Sequence, residues 1–313
     1  MVSRAEQLIK SASSPATPFS IYGGHRVGLG VAAGHRVAYD LFLPDGAFPD
    51  SEGARDGASA ASEGRGSGRN LSQIAVILLH GFGGTRGHMK GHAERLAAAG
   101  IPSLTPEMTS LMRGGLETAQ LRNIELIVQH ADWLLRKVGA RKLLFAGHSA
   151  GGAVMLEAAL RLTRCVVGVV LLDAVPWPRT IRVLAEASPL PCEMLILCIR
   201  AEPGTWNRYG NVQEALGLPL FDAHKARGKL LDVYLRGSGH GDAMNPQPYP
   251  SLLLRLLSLA GDERFVGAFS DLLFSFVVDI DASCDTTERT FSALGAFNEV
   301  LTALITSGVA SVK

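Results

Sequence analysis

One stretch, residues 143–155, constrains the fold of this chain more than any other, and it reads LLFAGHSAGGAVM. Its apolar start predicts a buried strand, and the small residues after Gly151 predict the beginning of a helix. Between them lies the pattern G-x-S-x-G, so a strand, a sharp turn and a helix follow one another with Ser149 at the tip. Glycine at 147 and at 151 removes the Cβ atoms that would crowd the backbone of such a turn. The stretch therefore predicts a nucleophilic serine at the carboxyl edge of a sheet, where a helix N-terminus favours developing negative charge.

The composition predicts an ordinary globular protein without a nucleic-acid or membrane partner. The chain has 313 residues, of which 47% are hydrophobic and 19% are charged, and its net charge is +1. This balance offers no electrostatic reason to bind nucleic acid, and no apolar run reaches the roughly 18 residues of a membrane span. The four cysteines are scattered without metal-binding spacing, and the start of the chain lacks the apolar core of a secretory signal. We therefore expect a cytoplasmic location, with organelle import left open by the Ser-rich, mildly basic start.

Strands and helices alternate between residues 74 and 262. Continuous apolar runs, typical of strands covered on both faces, occur at 74–79, 143–146, 166–172 and 194–199. Residues 230–235, LLDVYL, are predicted to be the last strand. Residues 37–43 read as a further strand, with the segment before them as its hairpin partner. The pattern predicts a single α/β domain over 1–313. Its central sheet should be mostly parallel and flanked by helices, with antiparallel strands at the N-terminal edge.

Four segments fall outside this alternation. Residues 1–18 are expected to form a loose tail, and residues 50–70, which are dominated by Gly, Ala and Ser, a disordered insertion. Residues 174–191 can form only a short cap over the edge of the sheet. Beyond the strand at 230–235, which is the last one predicted, the pattern up to residue 312 reads as helices, so 265–313 would be extra C-terminal helices.

A nucleophilic serine needs a base, and in a parallel sheet such groups collect at the carboxyl ends of strands. His240 follows the last predicted strand through a Gly-Ser-Gly loop and comes after Ser149 in the chain, so it is the predicted base. His80 and His148 flank glycines and are interpreted as structural. The remaining histidines are interpreted as surface or capping residues, namely His25, His35, His88, His92, His130 and His224.

Two carboxylates are candidates for the acid that orients the base. Asp173 ends the strand after the elbow helix, and Glu202 ends the strand after that. Aspartate is the commoner residue in this role and the later strand is the commoner place, so both remain open at this point. Asp242 lies only two residues beyond His240 and is interpreted as a residue that shapes the loop.

The oxyanion of an acyl-transfer reaction needs two backbone N–H donors, each worth roughly 3 kcal/mol in the barrier. The first predicted donor is Ala150, next to the serine. The second is Phe82, in the segment HGFGG that follows the strand at 74–79. A phosphate-binding loop is disfavoured, because neither G-x-G-x-x-G nor G-K-[ST] is present.

Three segments in order, HGFGG, GHSAG and GSGHGD, resemble those of the α/β-hydrolase superfamily, and the resemblance covers residues 37–262. It implies an α/β-hydrolase fold with a Ser-His-Asp/Glu triad.

A narrower resemblance is to chlorophyllases and cutinase-like esterases. Chlorophyllases carry a G-H-S-x-G-G elbow, an aspartate in a V-D-P-V-type segment and a G-H-x-D-M segment, which residues 147–152, 172–175 and 239–244 resemble. This resemblance implies Asp173 as the acid. The chain departs from it at Ala150, where plant chlorophyllases have arginine, and at Ala174, where they have proline.

The hypothesis from the sequence is a serine hydrolase that cleaves small-molecule carboxylic esters through an acyl-enzyme, without a cofactor or metal ion. Trp177, in the short cap, is expected to line an apolar substrate pocket that stays open to soluble or moderately hydrophobic esters. The alternatives are lipase, thioesterase or C–C hydrolase chemistry on the same fold, and a non-catalytic binding protein. A binding protein would be expected to lack Ser149 or His240, and both are present.

Overall fold

The computed structural model describes residues 20–22, 25–32, 35–44, 72–109, 115–187, 190, 191, 193–247, 262–286 and 289–313. The predicted tail at 1–18 and insertion at 50–70 lie outside the described residues, as does the predicted helical stretch at 251–261.

The described residues form one ten-stranded sheet, in the order β1-β2-β3-β5-β4-β6-β7-β8-β9-β10. Its strands are β1 Ser20–Tyr22, β2 His25–Ala32, β3 His35–Phe42, β4 Ile74–Leu79, β5 Ser103–Pro106, β6 Lys142–His148, β7 Val166–Leu172, β8 Leu195–Arg200, β9 Leu230–Leu235 and β10 Ala310–Val312. The six strands from β5 to β9 in this order run parallel, and β1, β2 and β3 add to them antiparallel on one side. This confirms the predicted fold class, with antiparallel strands at the N-terminal edge.

Helices cover both faces of the sheet. They are α1 Lys90–Ala98, α2 Gly115–Val138, α3 Ala150–Arg161, α4 Pro178–Glu186, α5 Val212–Leu216, α6 Asp222–Ala226, α7 Glu263–Ala282 and α8 Gly295–Thr306, with 3-10 turns at Arg86–Met89, Pro219–Phe221, His240–Ala243 and Phe291–Ala293. One apolar core joins one face of the sheet to α2, α3, α4 and α5. The other joins the opposite face to α1, α7 and α8. Because the central strands are covered on both sides, their sequences are continuously apolar.

The C-terminal region differs from its prediction. Residues 310–312 form β10, which pairs antiparallel with β9, so the strand at 230–235 is not the last and the sheet has an antiparallel strand at its second edge too. Three residues carry too little periodicity to reveal a strand. The helices α7 and α8 cover the second core, where Phe276 stacks on Phe291 and contacts Phe297 edge-on.

Candidate active site

Ser149 occupies the tight turn between β6 and α3. Its backbone has φ 55° and ψ −126°, a conformation that a residue with a Cβ adopts only under constraint. The Ser149 N–H donates to the carbonyl of Leu172 (3.1 Å), and the Ser149 carbonyl accepts from the N–H of Val175 (2.9 Å). Both partners lie at or just beyond the end of β7. The neighbouring strand therefore holds the serine at the carboxyl edge of the sheet.

Close backbone contacts require the two glycines of the elbow, defined here as residues 147–151. A Cβ on Gly147 would lie 2.5 Å from the carbonyl oxygen of Gly151. A Cβ on Gly151 would lie 2.7 Å from the carbonyl oxygen of Leu79, at the end of β4. Real side chains do not approach backbone oxygens so closely, so the predicted steric role of both glycines is confirmed.

Asp173 and His240 are in direct contact. Asp173 follows β7, and its Oδ2 lies 2.6 Å from Nδ1 of His240, the first residue of the 3-10 turn after β9. The aspartate is 1% exposed and the histidine 8%, so water is largely excluded from the pair. When Nδ1–H donates to the carboxylate, Nε2 of the neutral ring keeps the lone pair that a general base needs.

The Asp173 carboxylate also accepts hydrogen bonds from Ala201 and Asn207, which both follow β8. The Ala201 N–H donates to Oδ1 (3.0 Å), and the Asn207 side-chain amide donates to Oδ1 (3.3 Å) and Oδ2 (3.1 Å). Asp173 itself has φ 43°, in the left-handed region. Its position is thus set by groups that lie 28 and 34 residues away in the chain.

Glu202, the second predicted acid, lies elsewhere. Its exposed carboxylate accepts from the N–H of Gly237 (2.9 Å) and from the hydroxyl of Tyr234. Of the two candidates, the structure brings Asp173 to His240 and places Glu202 in a contact between the ends of β8 and β9.

His148 links the elbow to the base. Its Nε2 lies 2.9 Å from the backbone carbonyl of His240, so Nε2–H is the donor, and the two imidazole rings lie 4.5 Å apart between centroids. Burial lowers the pKa of His148 well below its usual range, which keeps the ring neutral. His148 therefore ties the loop of His240 to the strand that ends in the elbow.

The loop after β4 lies directly against the serine. A Cβ on Gly81 would lie 2.8 Å from the Cβ of Ser149. His80 holds this loop, because its Nε2 accepts from the Met108 N–H (2.9 Å), which leaves Nδ1–H to donate to the Gly81 carbonyl (2.8 Å). Ala150 is the first residue of α3, so its N–H has no carbonyl partner within the helix.

Three of the predicted site residues line one cleft. Phe82, Ala150 and Trp177 line one cleft that is partly open to solvent, and its other walls come from α2, α3 and the segment before α2. The loop that carries Phe82 and the start of α3 thus meet beside the cap. The structure therefore brings the two predicted N–H donors and the predicted pocket residue to the same opening.

Buried polar contacts fasten the cap to the elbow helix. The Glu157 carboxylate on α3 accepts from the Thr180 hydroxyl (2.8 Å) and the Gln120 amide (2.7 Å), and it pairs with Arg179 (2.5 Å). Every member of this network is buried or half-buried. The network fixes α4, and with it Trp177 at the N-terminal end of that helix, relative to the elbow.

The loop of His240 has its own support. Asp242 Oδ2 accepts from the Gly239 N–H (2.8 Å), and its Oδ1 accepts from the Gln247 amide (2.9 Å), as expected for a residue that shapes the loop. Burial raises the pKa of Asp242 to about 6.

Three of the histidines interpreted as surface or capping residues are buried instead: His92, His130 and His224. His92 lies on α1 and His130 on α2, and both side chains point inward; burial lowers the pKa of each to about 4.

Asn207 is a residue of the site that was not identified from the sequence. Its only signal is its place in the Gly- and Asn-rich segment that follows a parallel strand.

Within the part of the chain that the structure describes, no three His, Cys, Asp or Glu side chains group as metal ligands do. The described helices likewise include none that is both long and apolar enough to cross a membrane.

Residues 76–270 match the model of a family described as the alpha/beta hydrolase family. In fold, the chain is similar to a dienelactone-hydrolase-like promiscuous phosphotriesterase from metagenomic libraries, with 15% identity over 85% of this chain and 99% of that one and a TM-score of 0.52. It is also similar to the protein m3DLH, with 13% identity over 82% and 98% of the two chains and a TM-score of 0.51. No curated protein sequence matches the chain.

Proposed function

Because the chain belongs to the alpha/beta hydrolase family, we propose that it is a serine hydrolase that cleaves carboxylic esters through an acyl-enzyme. The observation that carries this proposal is the 2.6 Å contact between Asp173 and His240, whose ring lies 4.5 Å from that of His148, the residue before the serine on its strained turn. A buried aspartate on Nδ1 of a histidine next to such a serine is the arrangement that activates a hydroxyl for acyl transfer.

In the first half-reaction, Ser149 Oγ attacks the carbonyl carbon of the ester while its proton moves to His240 Nε2. The tetrahedral intermediate then collapses, the bond to the alkoxy group breaks, and the alcohol leaves with the proton from His240. In the second half-reaction, His240 takes a proton from water while the hydroxide attacks the acyl carbonyl carbon. The second tetrahedral intermediate then collapses, the bond between the acyl carbon and Ser149 Oγ breaks, and His240 returns the proton to Oγ, so that the carboxylic acid and free Ser149 are the products. Asp173 stabilises the imidazolium in both halves without being protonated itself.

The oxyanion of both intermediates would be held by the N–H groups of Phe82 and Ala150. Their residues line the same cleft, and the Ala150 N–H lies at the positive end of α3. Trp177 faces this cleft, which gives an apolar group of the substrate a wall to pack against.

The lining of the cleft indicates the class of substrate. The mixed lining of the cleft, with Phe82 and Trp177 beside polar side chains, suits a moderately hydrophobic ester of a small acyl or alcohol group. The resemblance of residues 147–152 and 239–244 to chlorophyllases adds chlorophyll-type esters as candidates.

The test of the proposal uses the wild-type chain and Ser149→Ala on p-nitrophenyl esters of increasing acyl length, a thioester, a lactone and a chlorophyll-type ester. We expect ester turnover in the wild type and a loss of about 10⁵-fold or more in the variant. A fluorophosphonate probe should form an adduct on Ser149 of the wild-type chain only. Full ester turnover by Ser149→Ala, or a wild-type chain that forms no adduct and turns over no ester, would contradict the proposal.

A further inference from the structure

Asn207 has more hydrogen-bond partners at the edge of the site than the proposed reaction uses. It is 1% exposed, and its amide nitrogen donates to Asp173 Oδ1 (3.3 Å), Asp173 Oδ2 (3.1 Å) and the Glu202 carbonyl (2.8 Å). Its amide oxygen accepts from the N–H groups of Gly204 (2.8 Å) and Gly210 (3.2 Å). One buried side chain thus connects the Asp173 carboxylate to both ends of the loop 204–210.

These partners determine the orientation of the amide and the type of residue. The oxygen faces two N–H donors, and the nitrogen faces a carboxylate and a carbonyl, so the reverse orientation would put like groups together. An aspartate would place a second negative charge against Asp173, and an alanine would leave buried donors and acceptors unpaired. The position therefore suits asparagine specifically.

The loop that Asn207 holds is strained. The three residues after Asn207 have positive φ: 49° at Arg208, 57° at Tyr209 and 77° at Gly210. The first two carry a Cβ, which disfavours this left-handed region. Backbone strain of this kind persists only where the surrounding contacts maintain it. Asn207 supplies such contacts, through its bonds to Gly204 and Gly210 at the two ends of the loop.

The same loop reaches the cleft. The Arg208 guanidinium lies 5.6 Å from the ring centroid of Trp177, which lines the cleft beside Ala150. Trp206 and Tyr209, on the same loop, are exposed. The wall of the cleft and the carboxylate behind the base are therefore connected through one amide.

We propose that Asn207 is a positioning residue, which holds the Asp173 carboxylate toward His240 and couples it to the loop 204–210. The Asn207 amide donates to both carboxylate oxygens, so it limits rotation of the carboxylate and spreads its charge. Its effect on turnover rests on the proposed function, whereas its effect on the Asp173–His240 hydrogen bond does not.

The first experiment reads that hydrogen bond directly. In the full chain labelled with ¹⁵N-histidine, the His240 Nδ1 proton should give a low-field resonance that Asp173→Ala abolishes. We expect Asn207→Ala to shift or broaden this resonance. The matched control is Asn211→Ala, which removes one amide-to-carbonyl bond of the same region, to Pro176, without touching Asp173. The control should leave the resonance unchanged.

A second variant covers the case in which Asn207→Ala does not fold. In Asn207→Asp, the introduced carboxyl can donate to Asp173 only while it is protonated, and it repels Asp173 once it ionises. The low-field resonance should therefore persist at pH 5.5 and weaken by pH 8, while the wild-type resonance persists throughout. An unchanged resonance in both Asn207 variants would overturn the proposal.

The second experiment is a double-mutant cycle on ester turnover. Asn207→Ala should lower kcat roughly 10- to 100-fold in the wild-type background, with little change in KM, because a hydrogen bond to a charged group is lost. In the Asp173→Ala background the same substitution should cost less than about threefold, since residues that act as a unit are not additive. An equal loss in both backgrounds would mean that Asn207 acts only on folding and would overturn the proposal. A wild-type chain without ester turnover would contradict the proposed function alone, since the resonance still tests Asn207.

Discussion

The elbow and the acid side of the site are built in opposite ways. The elbow, residues 147–151, is one continuous segment whose shape follows from contacts that only glycine permits. The acid side takes Asp173, Asn207 and His240 from the loops after three different strands, and it is held by hydrogen bonds between them. The shape of the elbow therefore depends on close backbone contacts that glycine permits, whereas the orientation of the base depends on which side chains the tertiary structure brings together.

The sharpest test of this contrast compares the two predicted acids. We expect Asp173→Ala to lower kcat about 10⁴-fold, because His240 loses the partner that orients its ring and stabilises its positive charge. Glu202→Ala should leave kcat within about threefold, because the Glu202 carboxylate contacts Tyr234 and Gly237 instead. Steady-state kinetics on the best ester of the panel measures both. A larger loss for Glu202→Ala would show that the acid side rearranges when substrate binds.

The elbow should instead respond to added volume. Gly151→Ala would push a Cβ against the carbonyl oxygens of Leu79 and His80, and backbone cannot yield as a flexible side chain can. We expect a loss of about 3 kcal/mol or more in the free energy of unfolding, measured by denaturant titration.

The matched control for that substitution is Gly267→Ala, in the interior of α7, where an added Cβ meets no atom within 4 Å. It should raise the free energy of unfolding by about 0.5–1 kcal/mol, because alanine favours the helix. Equal losses in the two variants would contradict a steric origin for the elbow.

A smaller effect on stability is expected from two buried histidines on opposite faces of the sheet, which differ in their hydrogen bonds. His130, on the face that carries the elbow helix, packs against Tyr39 and Trp133, and its Nε2 is buried without a hydrogen-bond partner. Its pKa is about 4 when folded and near 6.5 when unfolded. Above pH 6.5 the ring is neutral in both the folded and the unfolded chain. As the pH falls from 6.5 toward 4, only the unfolded chain binds the proton, so the free energy of unfolding decreases.

The substitution His130→Phe should therefore raise the free energy of unfolding by about 2 kcal/mol at pH 5 and leave it nearly unchanged at pH 8. His92, on the face that supports the loop of His240, also has a pKa of about 4, but its ring nitrogens bond to the Ala243 carbonyl and the Ser270 hydroxyl. His92→Phe should therefore destabilise the chain already at pH 8. Thermal unfolding at both pH values measures this difference, and a His92→Phe variant as stable as the wild-type chain at pH 8 would contradict it.

Most of the architecture could be predicted from the residues alone. The runs at Ile74–Leu79 and Val166–Leu172 became strands with those bounds, because strands covered on both faces are continuously apolar. The run at Leu230–Leu235, which contains Asp232 and is only partly buried, also became a strand with the predicted bounds. The short strand Ala310–Val312 could not be predicted, because three residues carry no pattern and their pairing with β9 is made only after the chain has folded back.

The sequence by itself predicted the elbow, because a serine between two glycines after an apolar strand is typical of a sharp strand-to-helix turn. It also placed Asp173, Glu202 and His240 at the same edge of the sheet, because parallel strands end together. Only the tertiary structure decided that Asp173 meets His240, that Glu202 meets Tyr234, and that Asn207 stands behind the carboxylate. Hydrogen bonds over a few ångströms between distant loops depend on how those loops pack, and no spacing along the chain records that.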